Sequence, residues 1–422
     1  MTSPALRILV ILPMYGGSLP IGRYCAKALE EMGHITRVFE APHFYSAFSG
    51  IKKLGLSPAR STTMENSFLN VISQAIWAMT EEFQPDLVLA MAQAPLGKSL
   101  LLRLRKAGIR TAMWFVEDFR IFTYWQVYAP LYDIFAVIQK EPFLSELGAV
   151  GQANALYLPL AALPSFHKKI SLDENEKKYF GSEISFMGAG YPNRRMAFRP
   201  LAGRDFKIWG SDWDGEGILK KNIQRAGERI SEEDSLKIYS ASKINLNLHS
   251  SLDPVQIVSK GDFVNPRTFE LAAIGAFQLV DRRSLLDELF PPGLLATFGS
   301  TDEMYSSIAY YLDHPEKRNE LAQKARQHVL MEHTYERRMR VLLDFTAERL
   351  GPWPTRHASS LSSPDLDQQT LQELGELKKQ LGLGPDTSFE AVIAGLRNKT
   401  GRLSGLETSL LFLDEWRKQY AR

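Results

Sequence analysis

The stretch Phe263-Val264-Asn265-Pro266-Arg267-Thr268-Phe269-Glu270-Leu271-Ala272-Ala273-Ile274-Gly275-Ala276-Phe277-Gln278-Leu279-Val280-Asp281 reads as a complete helix followed by a strand. Asn265 is a good N-cap and Pro266 suits the first helical position, so the pattern predicts a helix over 266–274. Gly275 stops it, and the apolar run 277–281 predicts a buried strand. A second apolar run at 244–248 lies upstream. The helix between them is then the crossover of a βαβ unit, which implies a parallel sheet.

The same rhythm extends outward. Strands are predicted over 184–187 and 206–209, with helices over 196–201 and 232–240. In the first half, strands are predicted over 7–12, 35–40, 86–92, 111–116, 134–138 and 155–158. Helices over 21–32, closed by Gly33, and 100–106 accompany them. Continuous apolar strands separated by helices imply sheets covered on both faces. Residues 164–181 are polar, rich in Lys and Glu, and read as an interdomain connection.

Two βα series joined by one linker predict an α/β protein of two doubly wound, Rossmann-like domains. Such sheets bind ligands at the carboxyl ends of their strands, so two facing domains would share one cleft. From residue 301 the chain turns helical, over 305–312, 316–332 and 335–350. Residues 351–365, rich in Pro and Ser, read as a flexible linker. The last stretch is leucine-rich and helical, broken at Gly382-Leu383-Gly384-Pro385, and predicts a helical extension suited to homo-oligomerisation or partner binding. The predicted division is 1–163, 182–350 and 366–422.

Bulk properties narrow the function. A chain of 422 residues is too long for one ordinary core. A formal net charge of +2 gives no reason to expect nucleic acid as a partner. The single cysteine, Cys25, rules out an intrachain disulfide and falls in a helical pattern, where it reads as a core residue. The first apolar run, 6–13, is far shorter than the about 20 residues of a membrane span and lacks the features of a signal peptide. The expected location is the cytoplasm.

The predicted start of the helix at Asn265 offers free N–H groups and a positive dipole end, which together suit an anion. Arg267 in its first turn can clasp phosphate oxygens bidentately. Glu270, one turn on, can accept hydrogen bonds from ribose hydroxyls. The competing reading is an amphipathic crossover helix whose Arg and Glu pair at the surface. Phe186-Met187-Gly188-Ala189-Gly190-Tyr191-Pro192-Asn193-Arg194-Arg195 ends a strand in two glycines, which lets a ligand approach the backbone. Either arginine could face that ligand, or both could be solvated.

The run Asn265-Pro266-Arg267-Thr268-Phe269-Glu270 with Gly275 resembles the donor-binding helix of GT-B glycosyltransferases, and more closely that of the CgeB-like (spore-maturation-type) family. Leu289-Phe290, Pro292-Gly293, Phe298, Asp302-Glu303, Ile308 to Leu312, Pro315, Ala325-Arg326, His333-Thr334-Tyr335 and Arg337-Arg338 follow in the family's order. The resemblance is strong over 184–345, thinner over the first 160 residues and absent beyond 351. It implies the GT-B fold and transfer of a sugar from a nucleoside-diphosphate sugar, with a UDP-sugar expected, to a protein, glycan or small-molecule acceptor. Glu270 would hold the donor ribose, and Gly188, Gly190, Arg194, Arg195, Asn265 and Arg267 would surround the diphosphate. No cofactor and no metal are expected.

Three further segments gain weight from the resemblance. Pro13-Met14-Tyr15-Gly16-Gly17 follows the first strand, where a glycine loop would approach phosphate or acceptor. Met113-Trp114-Phe115-Val116-Glu117-Asp118-Phe119-Arg120 places two acids at a strand end, as candidate bases or acceptor ligands; a structural pairing of acid with Arg120 is the alternative. His249 ends the strand over 244–248 and is the third catalytic candidate, against a structural role. Asp212-Trp213-Asp214 spells a metal-binding pattern of a different glycosyltransferase fold and is read here as a loop. Rivals to the transferase are a silent nucleotide-sugar or glycan-binding protein, an epimerase of the same fold, and a periplasmic-type binding protein.

Overall fold

The computed structural model describes residues 5–253, 258, 261–354, 368–384, 387 and 389–420. Residues 355–365 of the expected linker lie outside this set. By its contacts the chain forms two compact units. The first runs through Ala136 and takes in Ser145–Leu156 and the chain from Leu342 onward; the second holds Val137–Leu144 and Tyr157–Val341.

The first unit opens with β1 (Arg7–Ile11), α1 (Ser18–Glu31) and β2 (Ile35–Phe39). Two helices then appear where the sequence predicted none, α2 (Tyr45–Lys52) and the 26-residue α3 (Pro58–Phe83). Along α3 only Ile72, Ser73, Ile76, Thr80 and Phe83 are buried, a stripe too narrow and too polar to stand out as periodic. Next come β3 (Leu87–Met91), α4 (Lys98–Lys106), β4 (Arg110–Phe115), the short α5 (Trp125–Tyr128), β5 (Ile134–Val137), α6 (Phe143–Ala149) and β6 (Ala155–Tyr157). The sheet order is β2-β1-β3-β4-β5-β6. Every residue of β3 is at most 1% exposed, as a parallel strand covered on both faces must be. The order reverses between β1 and β3, so a crevice opens at their carboxyl ends.

The second unit contains α7 (Glu174–Phe180), inside the expected linker. Its start is fixed by a capping box in which Asp173 accepts from the Glu176 N–H at 2.8 Å and Glu176 accepts from the Asp173 N–H at 3.2 Å. Then follow β7 (Ile184–Met187), α8 (Pro192–Phe198), β8 (Phe206–Trp209), α9 (Glu232–Ala241), β9 (Ile244–Asn247), α10 (Pro266–Ile274) and β10 (Gln278–Asp281). The short α11 (Leu286–Leu289) leads to β11 (Ala296–Phe298), a strand not foreseen. The sheet order is β11-β10-β9-β7-β8, with all pairs parallel, and its switch point lies between β7 and β9.

Helices α12 (Thr301–Asp313), α13 (Pro315–Glu332) and α14 (Tyr335–Leu350) follow. The last described elements are α15 (Gln368–Gln380), α16 (Phe389–Arg397) and α17 (Gly405–Tyr420). They share their own small core of Leu374, Leu377, Val392, Ile393, Leu396 and Leu410. No described helix is long and apolar enough to cross a membrane.

Candidate functional site

At the switch point of the second unit, α10 starts as its sequence predicts. The Asn265 side-chain oxygen accepts the Thr268 N–H at 3.1 Å, and its amide nitrogen donates to Asn247 at 2.7 Å. His249, at the carboxyl end of β9, is buried and fully engaged. Its Nδ1 lies 2.6 Å from an Asp281 carboxylate oxygen, while Nε2 accepts the Asn265 backbone N–H at 2.9 Å. The two contacts define the tautomer, with the proton on Nδ1. Burial pushes the imidazole pKa below its ordinary value, against the attraction of Asp281. Both ring nitrogens of His249 are thus engaged, and Asn265 spends its side chain on the cap, as its sequence predicts.

Beside this helix start stand two arginines. Arg194, on α8, is buried; its Nε donates to the Leu248 carbonyl at 3.0 Å and Nη1 to that of Ala189 at 3.0 Å. Arg267, on α10, is half-buried and donates to the Tyr239 hydroxyl at 3.3 Å. Both guanidinium carbons lie over the Phe186 ring, at 5.0 Å and 5.6 Å from its centre. Neither arginine forms an ion pair among the described residues. Burial, together with the Arg267 charge, pushes the Arg194 pKa down to about 9. Two like charges in a half-dry pocket are a standing cost that an anion relieves.

Gly188, at the end of β7, makes this possible. Its φ is +151°, and a Cβ there would lie 3.1 Å from the Phe186 ring and 3.3 Å from Arg267 Nη2. Gly190 has a different reason to be glycine, because a Cβ would drive into the Asp212 carbonyl. The neighbouring Arg195 donates to the carbonyls of Gly190 at 2.6 Å, Asp214 at 2.8 Å and Asp212. Gly190 and Arg195 thus hold the 212–214 loop. The Asp212-Trp213-Asp214 segment is a loop, as expected. No group of three or more potential metal-ligating His, Cys, Asp or Glu side chains gathers among the described residues.

Glu270, on the same helix as Arg267, accepts no hydrogen bond among the described residues. His167 lies close by, with Nε2 3.9 Å from a Glu270 oxygen. Its other nitrogen accepts the Leu163 N–H at 2.9 Å, and burial lowers its pKa to about 3, so the contact is not an ion pair at neutral pH. Burial raises the Glu270 carboxyl to about 7, partly offset by Arg267. Sequence reasoning missed His167 and Tyr239. A lone histidine in a polar connection and a tyrosine on a crossover helix carry no motif.

In the first unit, Gly16 turns the chain after β1 with φ +103°, and Gly17 leads into α1. A Cβ on Gly17 would meet nothing within 4 Å. The two acids after β4 part company. Asp118 accepts the Arg120 N–H at 2.9 Å and lies 3.7 Å from the Arg120 guanidinium, so it takes the structural alternative. Glu117 accepts hydrogen bonds from the Gln93 side-chain amide and, at 3.3 Å, from the Tyr124 hydroxyl. Burial raises its carboxyl to about 7 despite these two donors. Gln93 and Tyr124 also line a cavity of about 270 Å³ at the carboxyl ends of β1, β3 and β4.

Two doubly wound parallel sheets in one chain are the layout of the GT-B fold. Sucrose-phosphate synthase from Thermosynechococcus elongatus shares this fold, with a TM-score of 0.56 at 13% identity over 82% of this chain and 99% of that one. So does Anabaena HepE, solved in complex with UDP and glucose, with a TM-score of 0.54 at 12% identity over 81% and 100%. Residues 194–344 match the family described as Glycosyl transferase-like. The chain is also 26% identical over 254 residues to the spore protein CgeB of Bacillus subtilis, covering 57% of this chain and 77% of that protein. The chain is thus similar to glycosyl transferase-like proteins over residues 194–344 and shares the GT-B fold.

Proposed function

We propose that this protein transfers a sugar from a nucleoside-diphosphate sugar to an acceptor hydroxyl, with the donor held by the second unit. The observation that carries this reading is the juxtaposition of Arg194 and Arg267, which form no ion pair within 4 Å among the described residues, with Glu270, which accepts no hydrogen bond among them. A diphosphate answers the first need and ribose hydroxyls the second. HepE's complex with UDP and glucose supports a UDP-sugar as donor. Catalysis would consist of positioning plus stabilisation of the departing diphosphate by the two arginines, without a metal. Of the two acids in the first unit, Glu117 is the candidate proton acceptor, because Asp118 is committed to its turn.

The test is a thermal-shift and titration series with UDP, GDP, ADP and CMP on the purified chain. A ligand that binds only the folded state raises the melting temperature by mass action. UDP is expected to bind, and Arg267→Ala to weaken it at least about tenfold, since a hydrogen bond to a charged group contributes roughly 1.5–3 kcal/mol. Absence of any nucleotide shift, or unchanged UDP affinity in Arg267→Ala, would remove the donor site and leave a protein of the same fold that does not bind nucleotide sugars there.

A further inference from the structure

We infer that the cavity in the first unit binds a small hydroxylated aromatic molecule, the acceptor class for the transfer proposed above. The inference rests on that reading for the word acceptor; the binding itself stands on the cavity alone.

Size comes first. A dry cavity of about 150 Å³ lined by apolar side chains holds benzene. At about 270 Å³ this one takes a substituted ring or a fused pair. Its walls include the aromatic rings of Tyr15, Phe48, Tyr124, Tyr128 and Tyr132, together with Met14 and Met113. Flat apolar walls favour a ring, through stacked and edge contacts and through methionine sulfur. A sugar would fit by volume but carries a hydroxyl on nearly every carbon. Most of these would lose water and find no partner here.

Some polar groups of the lining are uncommitted. Tyr132 is 3% exposed, lines the cavity, and its hydroxyl makes no hydrogen bond among the described residues. Gln93 gives its amide N–H₂ to Glu117, which leaves its side-chain carbonyl without a donor among the described residues. An uncommitted hydroxyl and an uncommitted carbonyl on largely apolar walls match a ligand with one hydroxyl and little other polarity.

The backbone points to the same place. Gln93 has φ +63°, a left-handed conformation that an ordinary residue adopts only under constraint. The constraint is visible, since its N–H donates to the Tyr124 hydroxyl at 2.9 Å while its side chain is held by Glu117. Strain at a strand end beside a switch point is where a fold keeps ligand groups. In transfer, the ligand oxygen bonds to the anomeric carbon as the bond from that carbon to the diphosphate oxygen breaks. The electron pair leaves with the nucleoside diphosphate, and the hydroxyl proton goes to Glu117, the carboxylate held beside Gln93 and Tyr124.

Calorimetric titration of the full chain with 2-naphthol, naphthalene, glucose and uridine, without donor, tests this. The expected result is binding of 2-naphthol, at least about tenfold weaker binding of naphthalene, and none of glucose or uridine. Tyr132→Phe should weaken 2-naphthol about tenfold, leave naphthalene unchanged and keep the melting temperature. Gln93→Leu should do the same to affinity, as a second route if one variant folds poorly. Failure of 2-naphthol to bind, equal binding of naphthalene, or its displacement by uridine would each overturn the inference. UDP binding without 2-naphthol binding would leave the transferase reading intact and remove only this one; the converse would do the reverse.

Discussion

Replacing Glu270 by Gln keeps the shape of the side chain and removes its charge, and both stability and nucleotide affinity should respond. The carboxyl is held at about 7 against an ordinary value of 4.5, chiefly by burial. At about 1.36 kcal/mol per tenfold change in proton activity, ionising it inside the fold costs up to about 3 kcal/mol. Its side chain is 18% exposed, so solvent reduces that ceiling. Linkage sets the sign. The protonated form contributes stability that is fully present below about 4.5 and is lost as pH rises through about 7. Glu270→Gln should therefore match the parent at pH 5 and exceed it at pH 8. With melting shifts of about 2–4 °C per kcal/mol for domains of this size, the gain at pH 8 should reach several degrees. Thermal and urea unfolding of both proteins at the two pH values provide the assay, with UDP titration alongside. Nucleotide affinity should fall in the variant as its stability rises, the usual trade at a binding site. A variant no more stable than the parent at pH 8 would show that the carboxylate has a favourable partner within the fold, and the ribose assignment would lose its physical basis.

Arg195→Ala should release the 212–214 loop from its two carbonyl contacts with Arg195, together with the one to Gly190, and lower stability by about 1–3 kcal/mol, while UDP affinity changes less than twofold. Denaturant midpoints and calorimetry separate this from the Arg267→Ala outcome, and a large affinity loss would return Arg195 to the donor site. Gly190→Ala should cost at least about 2 kcal/mol through collision with the Asp212 carbonyl. Gly17→Ala, whose Cβ meets open space, should stay within about 0.5 kcal/mol of the parent. Equal stability of the two variants would contradict the backbone packing described for the 212 loop.

Much of the fold was readable because local signals and packing agree. The predicted bounds of the strand over 184–187 and the helix over 266–274 recur in the structure, since a continuous apolar run and an Asn-Pro start with a Gly stop leave little choice. The helix α3 escaped because its buried stripe is interleaved with Ser, Thr and Asn. The capping box of α7 was a legible signal hidden by the polar composition around it. In the candidate site, adjacent arginines cannot be told apart by sequence, as direction is set by which carbonyls lie within reach. Arg194 meets those of Leu248 and Ala189; Arg195 meets those of the 212–214 loop. The cavity escaped for a similar reason. Its lining residues come from strand ends and helices far apart in the chain, and no local pattern announces such a meeting.

The contact of Gly188 with Phe186 and Arg267 has a consequence for how this surface can change over generations. The three positions form one unit of variation, because a methyl group at 188 presses on both the ring and the guanidinium that lies over it. Lineages that gain a side chain at 188 are expected to have surrendered the arginine at 267, or to have replaced the ring at 186 in the same step. A mutational library that explores one of these positions alone would sample mostly dead ends, whereas joint variation of all three would open routes to a differently charged ligand.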